Sequence, residues 1–534
     1  MTLEIQGLPD SEASGKQPFN RQFFVLLGSL GIGTVIIGWA IIDASGMAQA
    51  ASNVQDYMLL HLGSGLMIAN TLFLMVAVFL IFSKWGKIRL GSDDAKPALN
   101  TVTWLFMMFS AGVGATIVFW AAAEPLIYLQ YSRFDNVATE EIASRLIAAQ
   151  LFGGGGLHMW ACYALVGVAI GYFGFRKKQS LTFSSPLQSG FLTFMPRIPA
   201  NILGVFGDCL AVTGMLFGIG ASIAIGALML ASGLNEATAG KIPNNNTSNL
   251  LILLALIFSS LTASLLGLKR GLAFVSKVNI LIAIAFVVYL TIFTDLQLIL
   301  RRLGTMTYHY PSAIFEITYK TFSKDAEYIR WIQEWPLTYF FWTVSWSPFV
   351  GAFLAEISQG RTIRQMLLGC LLFPTVFGAV WLVVIGGWAI DLNSAENGAL
   401  ATAVYEDISN AIFLALDPLP WGAQAKMAAT ILAGIFLVTT MAAGVLVLGV
   451  LSTGKATPGK RHQIFWAAAL GAVAAVVVLT KSIEVVRAAP VFAAGPLILL
   501  TLFAVLATLR FLRDEQKDEQ RQVEVSDSAK SDAG

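Results

Sequence analysis

Charged residues are scarce in this chain. Lys, Arg, Asp and Glu make up 12% of its 534 residues, against 56% hydrophobic ones, and mean hydropathy is +0.71. A soluble domain carries about 25% charge. From Cys209 to Asn235 there is no charged residue, a stretch longer than the ~20 residues that cross a hydrocarbon core as a helix. Cysteine is rarer still: Cys162, Cys209 and Cys370 sit singly in apolar segments, without metal-ligand spacing, as buried structural thiols. Four histidines are too few for a histidine metal cluster. The nucleotide-binding pattern Gly-x-x-x-x-Gly-Lys-[Ser/Thr] is missing, so ATP-driven pumping has no support. A net charge of +2 implies no nucleic-acid partner. No cluster of His, Asp or Glu falls at membrane depth, which argues against an enzyme. The first 22 residues lack an apolar core with a small-residue cleavage site, so no signal peptide is expected.

What is present is a series of apolar runs bounded by charge. They predict an all-α polytopic membrane protein of twelve transmembrane helices, at roughly 22–43, 61–83, 100–122, 149–175, 202–234, 248–268, 271–295, 336–358, 363–390, 424–451, 462–480 and 485–512. A transporter domain thus covers 22–512, after a short N-terminal segment (1–21). Residues 296–335 are too polar to span and read as an extramembrane helix. The mixed-charge tail 513–534 cannot build a core and reads as a disordered or frayed end.

Orientation follows from Lys and Arg in short loops. With the N-terminus in the cytoplasm, fifteen basic residues fall inside, among them Lys84, Arg176, Lys269, Arg361 and Lys460. Five fall outside: Arg133, Arg145, Lys241, Lys481 and Arg487. This bias places both termini in the cytoplasm and supports an even span count.

Spans three and eight stand out as a pair. Both are aromatic-rich, and both are read as interrupted near the middle, at Gly112/Gly114 and at Ser347-Pro348. Broken backbone at membrane depth is tolerated only where it lines a protein-enclosed cavity. Paired broken helices point to an inverted-repeat transporter with a midplane site. The expected arrangement is a LeuT-like 5+5 repeat, repeat 1 at about 100–295 and repeat 2 at about 336–512, with two extra helices in front.

Three clusters carry candidate chemistry. Ser110-Ala-Gly112-Val113-Gly114-Ala-Thr116 frees backbone groups where the helix unwinds, N–H for a carboxylate or C=O for a cation; close packing of small residues is the alternative. Trp160 and Tyr163 are three residues apart, so one helical face presents both rings. Aromatic faces bind a quaternary ammonium for up to about 2 kcal/mol per desolvated contact, although a packing pair would look the same. Trp342, Thr343, Trp346 and Phe349 surround Ser347-Pro348 in span eight. Of the remaining polar residues, His158 reads as a buried, hydrogen-bonded histidine, Asp208 as a cap or an entrance residue, and Lys277 as a snorkelling lysine.

These stretches resemble the betaine/carnitine/choline transporter family. The family pattern Gly-Met-Gly-Ile-Gly, then Phe-Trp and Glu-Pro, is matched by Gly112, Gly114, Phe119-Trp120 and Glu124-Pro125, with Val113 and Thr116 as departures. His158, Trp160 and Tyr163 match in span four, but Gly155 stands where a tryptophan is expected. Span eight reads Trp342-Thr343-Val-Ser-Trp346-Ser-Pro-Phe349 for the family's Trp-Trp-Ile-Ser-Trp-Ser-Pro-Phe, so Thr343 replaces a second tryptophan. The resemblance implies a homotrimer in a bacterial inner membrane, in contact with lipid, importing a betaine-, carnitine- or choline-like zwitterion or quaternary ammonium compound by alternating access. It places substrate against Trp160, Tyr163, Trp342, Trp346, Gly112, Gly114, Thr343 and Phe349. The two missing tryptophans leave room for a non-quaternary zwitterion such as a sulfonium or taurine-like solute.

No cofactor is expected apart from a coupling ion. In sodium-coupled members, the resemblance puts sodium between Ser110, Val113, Thr439 and Thr440. Thr439 and Thr440 bonding back to carbonyls one turn earlier is the alternative. A second site is less complete, because Gly220-Ala221-Ser222 replaces Ala-Thr-Ser. No Lys or Arg lies between Arg197 and Lys241 to act as the cation surrogate of sodium-independent exchangers. Sodium symport is the leading reading, ahead of a proton-coupled or exchange carrier. A channel or sensor on a transporter scaffold is the remote alternative.

Overall fold

The computed structural model describes residues 21–112, 116–129, 131, 140–191, 196–406, 408–480 and 483–531. They form α1 (Arg21–Ile42), α2 (Ala44–Phe82), α3 (Thr101–Gly112), α4 (Thr116–Tyr128), α5 (Glu140–Gly154), α6 (Leu157–Gly171), α7 (Arg197–Ala237), α8 (Asn246–Leu265), α9 (Ala273–Phe293), α10 (Leu296–Lys320), α11 (Ala326–Ile332), α12 (Thr338–Ile357), α13 (Ile363–Ala395), α14 (Ala399–Glu406), α15 (Ala411–Leu416), α16 (Gly422–Thr453), α17 (Lys460–Thr480) and α18 (Ile483–Ser531). Eleven segments among the described residues are long and apolar enough to cross a membrane; α3 and α4 are each too short. Counted together as one span, α3 and α4 raise the number to twelve. The protein is an all-helical polytopic membrane protein.

Membrane helices must satisfy their backbone internally, and the ends here show how. Asp43, the one residue between α1 and α2, caps α2 by accepting the Gly46 N–H at 2.8 Å. That cap starts α2 well before the span expected from residue 61, through the polar stretch containing Gln49, Asn53 and Asp56. Thr362 and Gln365 form a reciprocal capping box at the start of α13, which satisfies two of the orphan donors at a helix N-terminus.

Three connections and α18 meet at one end of the bundle. Leu90 N–H donates to Arg361 O at 2.9 Å and Gly360 N–H to Leu90 O at 2.8 Å, joining the α2–α3 and α12–α13 loops. Arg176, after α6, bonds Asp93 at 2.6 Å and Glu515 of α18 at 2.5 Å. Each of these loops belongs to the basic set. At the opposite end, Arg302 of α10 pairs with Glu140 of α5 at 2.8 Å and with Asp391 of α13 at 2.9 Å. α10 is an amphipathic helix with Ile299, Arg302, Met306, Tyr310 and Ile317 buried along one stripe, as expected of the polar 296–335 region.

Two expectations are corrected here. The tail 513–534 is not frayed at its start: α18 runs to Ser531. Glu515 accepts from Tyr172 at 2.6 Å and pairs with Lys177 at 2.6 Å, so its charge is tied to the α6 end, and residues such as Arg, Glu, Gln and Lys favour a helix once one end is anchored. Likewise Ser347-Pro348 does not interrupt span eight, because α12 is continuous from Thr338 to Ile357. Proline cannot donate to the carbonyl four residues earlier, which is that of Val344. The Ser347 hydroxyl donates to this carbonyl at 2.8 Å instead, and the helix passes through.

Candidate functional site

One helix break and one close crossing position the site. α3 is described as far as Gly112 and α4 from Thr116; Val113 and Gly114, both candidate site residues, lie outside the described residues, and so does the expected interruption there. The break separates α5 from α6 within Gly153–Gly156. A side chain at Gly156 would overlap the Tyr310 hydroxyl and the Leu151 carbonyl, so only glycine lets α10 approach this close. Tyr310 in turn accepts the Leu157 N–H at 2.9 Å, satisfying a donor at the start of α6. This break was not expected from the sequence. The crossing joins α6 to α12: a Cβ at Gly351 would lie 2.6 Å from Val166 Cγ1, and one at Gly167 would lie 3.0 Å from Gly351 O. Small residues at such crossings let helix backbones meet.

These constraints gather four of the candidate residues. Trp160 and Tyr163 of α6 meet edge to face, with ring centroids 5.9 Å apart. Gly112 abuts the six-membered ring of Trp160 so closely that any Cβ there would overlap it. The Tyr163 hydroxyl lies beside the Thr343 side chain. On α12, Trp346 and Phe349 meet edge to face at 5.8 Å, about a sixth and a third of a turn around the helix from Thr343. Trp346 packs on Gly218 of α7, where a Cβ would come within 2.9 Å of its Nε1. Trp342 is half-buried one turn before Trp346. Gly218 was not singled out from the sequence, because a glycine in an apolar run carries no signal until its partner is known.

Polar groups at this level are under-satisfied. The indole N–H groups of Trp160 and Trp346 are buried with no hydrogen-bond partner among the described residues, as are the hydroxyls of Ser110 and Thr440. Thr439 differs: its hydroxyl donates to Ile435 O at 2.9 Å. That bond uses the proton and leaves the oxygen lone pairs able to accept a cation. Phe109, next to Ser110, touches Phe436, one turn before Thr440, with centroids 6.0 Å apart, so α3 and α16 are in contact at this level. Buried polar atoms without partners are rare, and hard oxygens without donors are what a small cation requires.

Gly155, where the resemblance expects tryptophan, is buried, yet a Cβ there would meet no atom within 4 Å. His158 is fully buried against Phe152, centroids 4.4 Å apart. Its Nε2 lies 3.4 Å from Thr71 Oγ1, and its Nδ1 has no partner among the described residues. Asp208 bonds Arg21 at 2.6 Å and both the N–H and hydroxyl of Ser184 at 2.9 Å, which ties α1 to the α6–α7 connection. Glu124 of the Glu-Pro pair, 1% exposed, accepts from the hydroxyls of Tyr128 and of Tyr339 (2.8 Å) and from Gln150 Nε2 (3.2 Å). This carboxyl links α4, α5 and α12, a role the motif alone did not reveal.

Comparison with known proteins agrees with this architecture. The family model described as betaine/carnitine/choline family transporter matches residues 24–517. A glycine betaine transporter of Bacillus subtilis is 29% identical over 90% of this chain and 92% of its own length. An ectoine/hydroxyectoine transporter of Virgibacillus pantothenticus is 30% identical over 95% and 99% respectively. An osmo-dependent choline transporter of Acinetobacter baylyi is 29% identical over 94% of this chain and 73% of its own. With a family match across nearly the whole chain and the glycine betaine and ectoine relatives aligned over nine-tenths or more of both chains, the protein is a transporter, not an enzyme, and belongs to the betaine/carnitine/choline transporter family.

Proposed function

We propose that this protein is a sodium-coupled secondary transporter that imports a small zwitterion or quaternary ammonium compound of the betaine and choline type by alternating access. The observation that carries the reading is the contact of Gly112, Trp160, Tyr163 and Thr343. It joins aromatic faces suited to a cationic head group to the end of the described part of α3, whose sequence reads as the start of an interrupted span. The buried indole N–H groups of Trp160 and Trp346 add donors for a carboxylate. Trp160, Tyr163, Thr343 and Phe349 are all buried, so a solute reaches them only when helices separate, which is the motion alternating access requires.

Sodium fits the oxygens of Ser110 and Thr440, which have no other partner among the described residues, with Thr439 beside them. Bound there, it would supply the coupling charge and hold α3 against α16. The basic loops at the Arg176 end favour placing that end, and both termini, in the cytoplasm. A 5+5 repeat and a homotrimer in a bacterial inner membrane complete the proposal. The test is uptake by purified protein in liposomes, using glycine betaine, choline, carnitine, ectoine and taurine with sodium or potassium outside. Saturable uptake that requires sodium supports the reading, whereas saturable uptake indifferent to that replacement removes sodium from it.

A further inference from the structure

The transport site uses the middle of α12; its end holds a carboxyl that this role leaves unexplained. Glu356, the penultimate residue of α12, lines a cavity of about 10 Å³ with Ile170 of α6, Leu181 of the α6–α7 connection, Ala352, and Leu446, Val447 and Val450 of α16. Every other group in that lining is apolar. Glu356 is half-buried, and no hydrogen bond or charged neighbour acts on it among the described residues. It therefore differs from Glu124 and Asp208, each held by three or more donors.

We propose that Glu356 is a proton-binding site built into the junction of α6, α12 and α16. An unpaired carboxylate at the edge of the hydrocarbon region is expensive, and acids of this kind usually mark ion or proton paths. The cavity is at the lower limit for one water, so a proton is the cation it has room for; neither an organic ammonium nor a hydrated metal ion fits. Glu356 lies ten residues, ~15 Å, along α12 from Trp346. The helices that enclose it carry Trp160 and Tyr163, Thr343 and Trp346, and Thr439 and Thr440. Separation of α12 from α6 and α16 exposes the carboxyl to water, and their closure returns it to an apolar lining. Proton binding thus favours the closed packing, and loss of the proton favours the open one.

Most described charged groups on neighbouring elements are engaged elsewhere; Lys178 of the α6–α7 connection and Lys517 of α18 form no ion pair among the described residues. Arg176 pairs with Asp93 and Glu515, Lys177 with Glu515, and Tyr172 donates to Glu515. Asp208 of α7 pairs with Arg21, and Arg510 and Arg513 of α18 pair with Asp514. Beyond the end of α12, Arg361 stacks on the Trp104 ring and bonds Leu99 O. Lys426 of α16 pairs with Glu236 and Asp417 at the opposite end. The helical residues of α3 carry no charge.

The proposal rests on reading α6 and α12 as walls of a transport path, so its test has one arm independent of transport. Infrared spectra of the purified full chain in liposomes are compared for wild type, Glu356→Gln and Glu124→Gln. A protonated-carboxyl band lost only in Glu356→Gln supports the proton site, and the same band in all three proteins overturns it whatever the solute. Should Glu356→Gln fail to assemble, Glu356→Asp keeps the acid, and a shifted band replaces loss as the expected result; an unmoved band then overturns the site. In the second arm, labelled glycine betaine uptake is followed against pH. Wild-type rates change by up to about tenfold per pH unit across the titration, and Glu356→Gln rates by less than about twofold. Matching profiles in the two proteins overturn the coupling to transport. Absence of glycine betaine uptake by wild type counts against the solute reading alone, since the infrared arm still decides the proton site.

Discussion

Gly112 and Trp160 share a contact with no room for a methyl group: the last described residue of α3 lies directly against the six-membered ring of an indole on α6. Gly112 and the aromatic pair are therefore one unit, because any side chain at Gly112 displaces the ring.

Gly112→Ala should accordingly weaken substrate binding while leaving the protein folded in the membrane. Inserting a methyl into packed surroundings costs about 1–3 kcal/mol, which corresponds to about fivefold to a hundredfold in affinity if it falls on the binding geometry. Ligand titration of purified variants measures it, and an unchanged affinity would separate Gly112 from the site.

Trp346→Ala should abolish saturable uptake without loss of insertion. It removes the ring that meets Phe349 edge to face and a buried N–H with no partner among the described residues. Trp346→Phe keeps an aromatic face and loses only that donor, so a cation-dominated site retains partial uptake. Normal uptake by a well-expressed Trp346→Ala protein would move the site away from α12.

The two threonines of α16 should not be equivalent. Thr440→Ala removes an oxygen with no partner among the described residues, whereas Thr439→Ala removes a hydroxyl already donating to Ile435 O. The sodium concentration for half-maximal uptake should rise by about tenfold or more in Thr440→Ala, equal to the loss of ~1.4 kcal/mol of cation binding. It should rise less in Thr439→Ala and most in the double variant. Equal, unchanged sodium curves in all three would place the coupling ion elsewhere.

Ser347→Ala should destabilise α12 at Pro348. It leaves the buried Val344 carbonyl without its donor, at about 1–3 kcal/mol for an unsatisfied buried group. A lowered melting temperature in detergent checks this; a temperature equal to that of wild type would show that the hydroxyl does not hold the helix together.

The two missing tryptophans should show in ligand preference. Gly155 and Thr343 together delete two π faces, each worth roughly 0.5–2 kcal/mol for a bound cation, so glycine betaine should bind at least about tenfold more weakly than to a complete cage. The open space beside Gly155 and the Thr343 hydroxyl favour a larger or hydrogen-bonding head group. Competition among glycine betaine, choline, carnitine and non-quaternary zwitterions decides, and micromolar affinity for glycine betaine would show that the remaining rings suffice.

Much of the fold is legible before any coordinates. The apolar runs fall within a few residues of most helices, since bilayer thickness sets their length. The Gly153–Gly156 break is not legible in the same way, because it depends on Tyr310, more than 150 residues away, reaching the start of α6. Ser347-Pro348 reads as a break for a related reason: proline's missing donor is visible in sequence, but the hydroxyl that replaces it is a matter of rotamer and geometry. In the candidate site, Trp160 and Tyr163 are legible as a pair from their spacing. Gly218, opposite Trp346, is not.

The sequence by itself determined the class of molecule. Scarce charge and long apolar runs leave only a membrane-spanning bundle, and the motifs around Gly112, Trp160 and Trp346 point to its family. Only the tertiary structure decided which polar groups are satisfied. Glu124 and Glu356 are both glutamates in apolar helices, yet one is held by Tyr128, Tyr339 and Gln150 and the other faces an apolar cavity. Thr439 and Thr440 are adjacent and chemically identical, yet only Thr439 finds a partner among the described residues. Hydrogen bonding is directional and short in range, so a side chain's role depends on which distant helices are placed within about 3 Å of it, and residue spacing does not encode that placement.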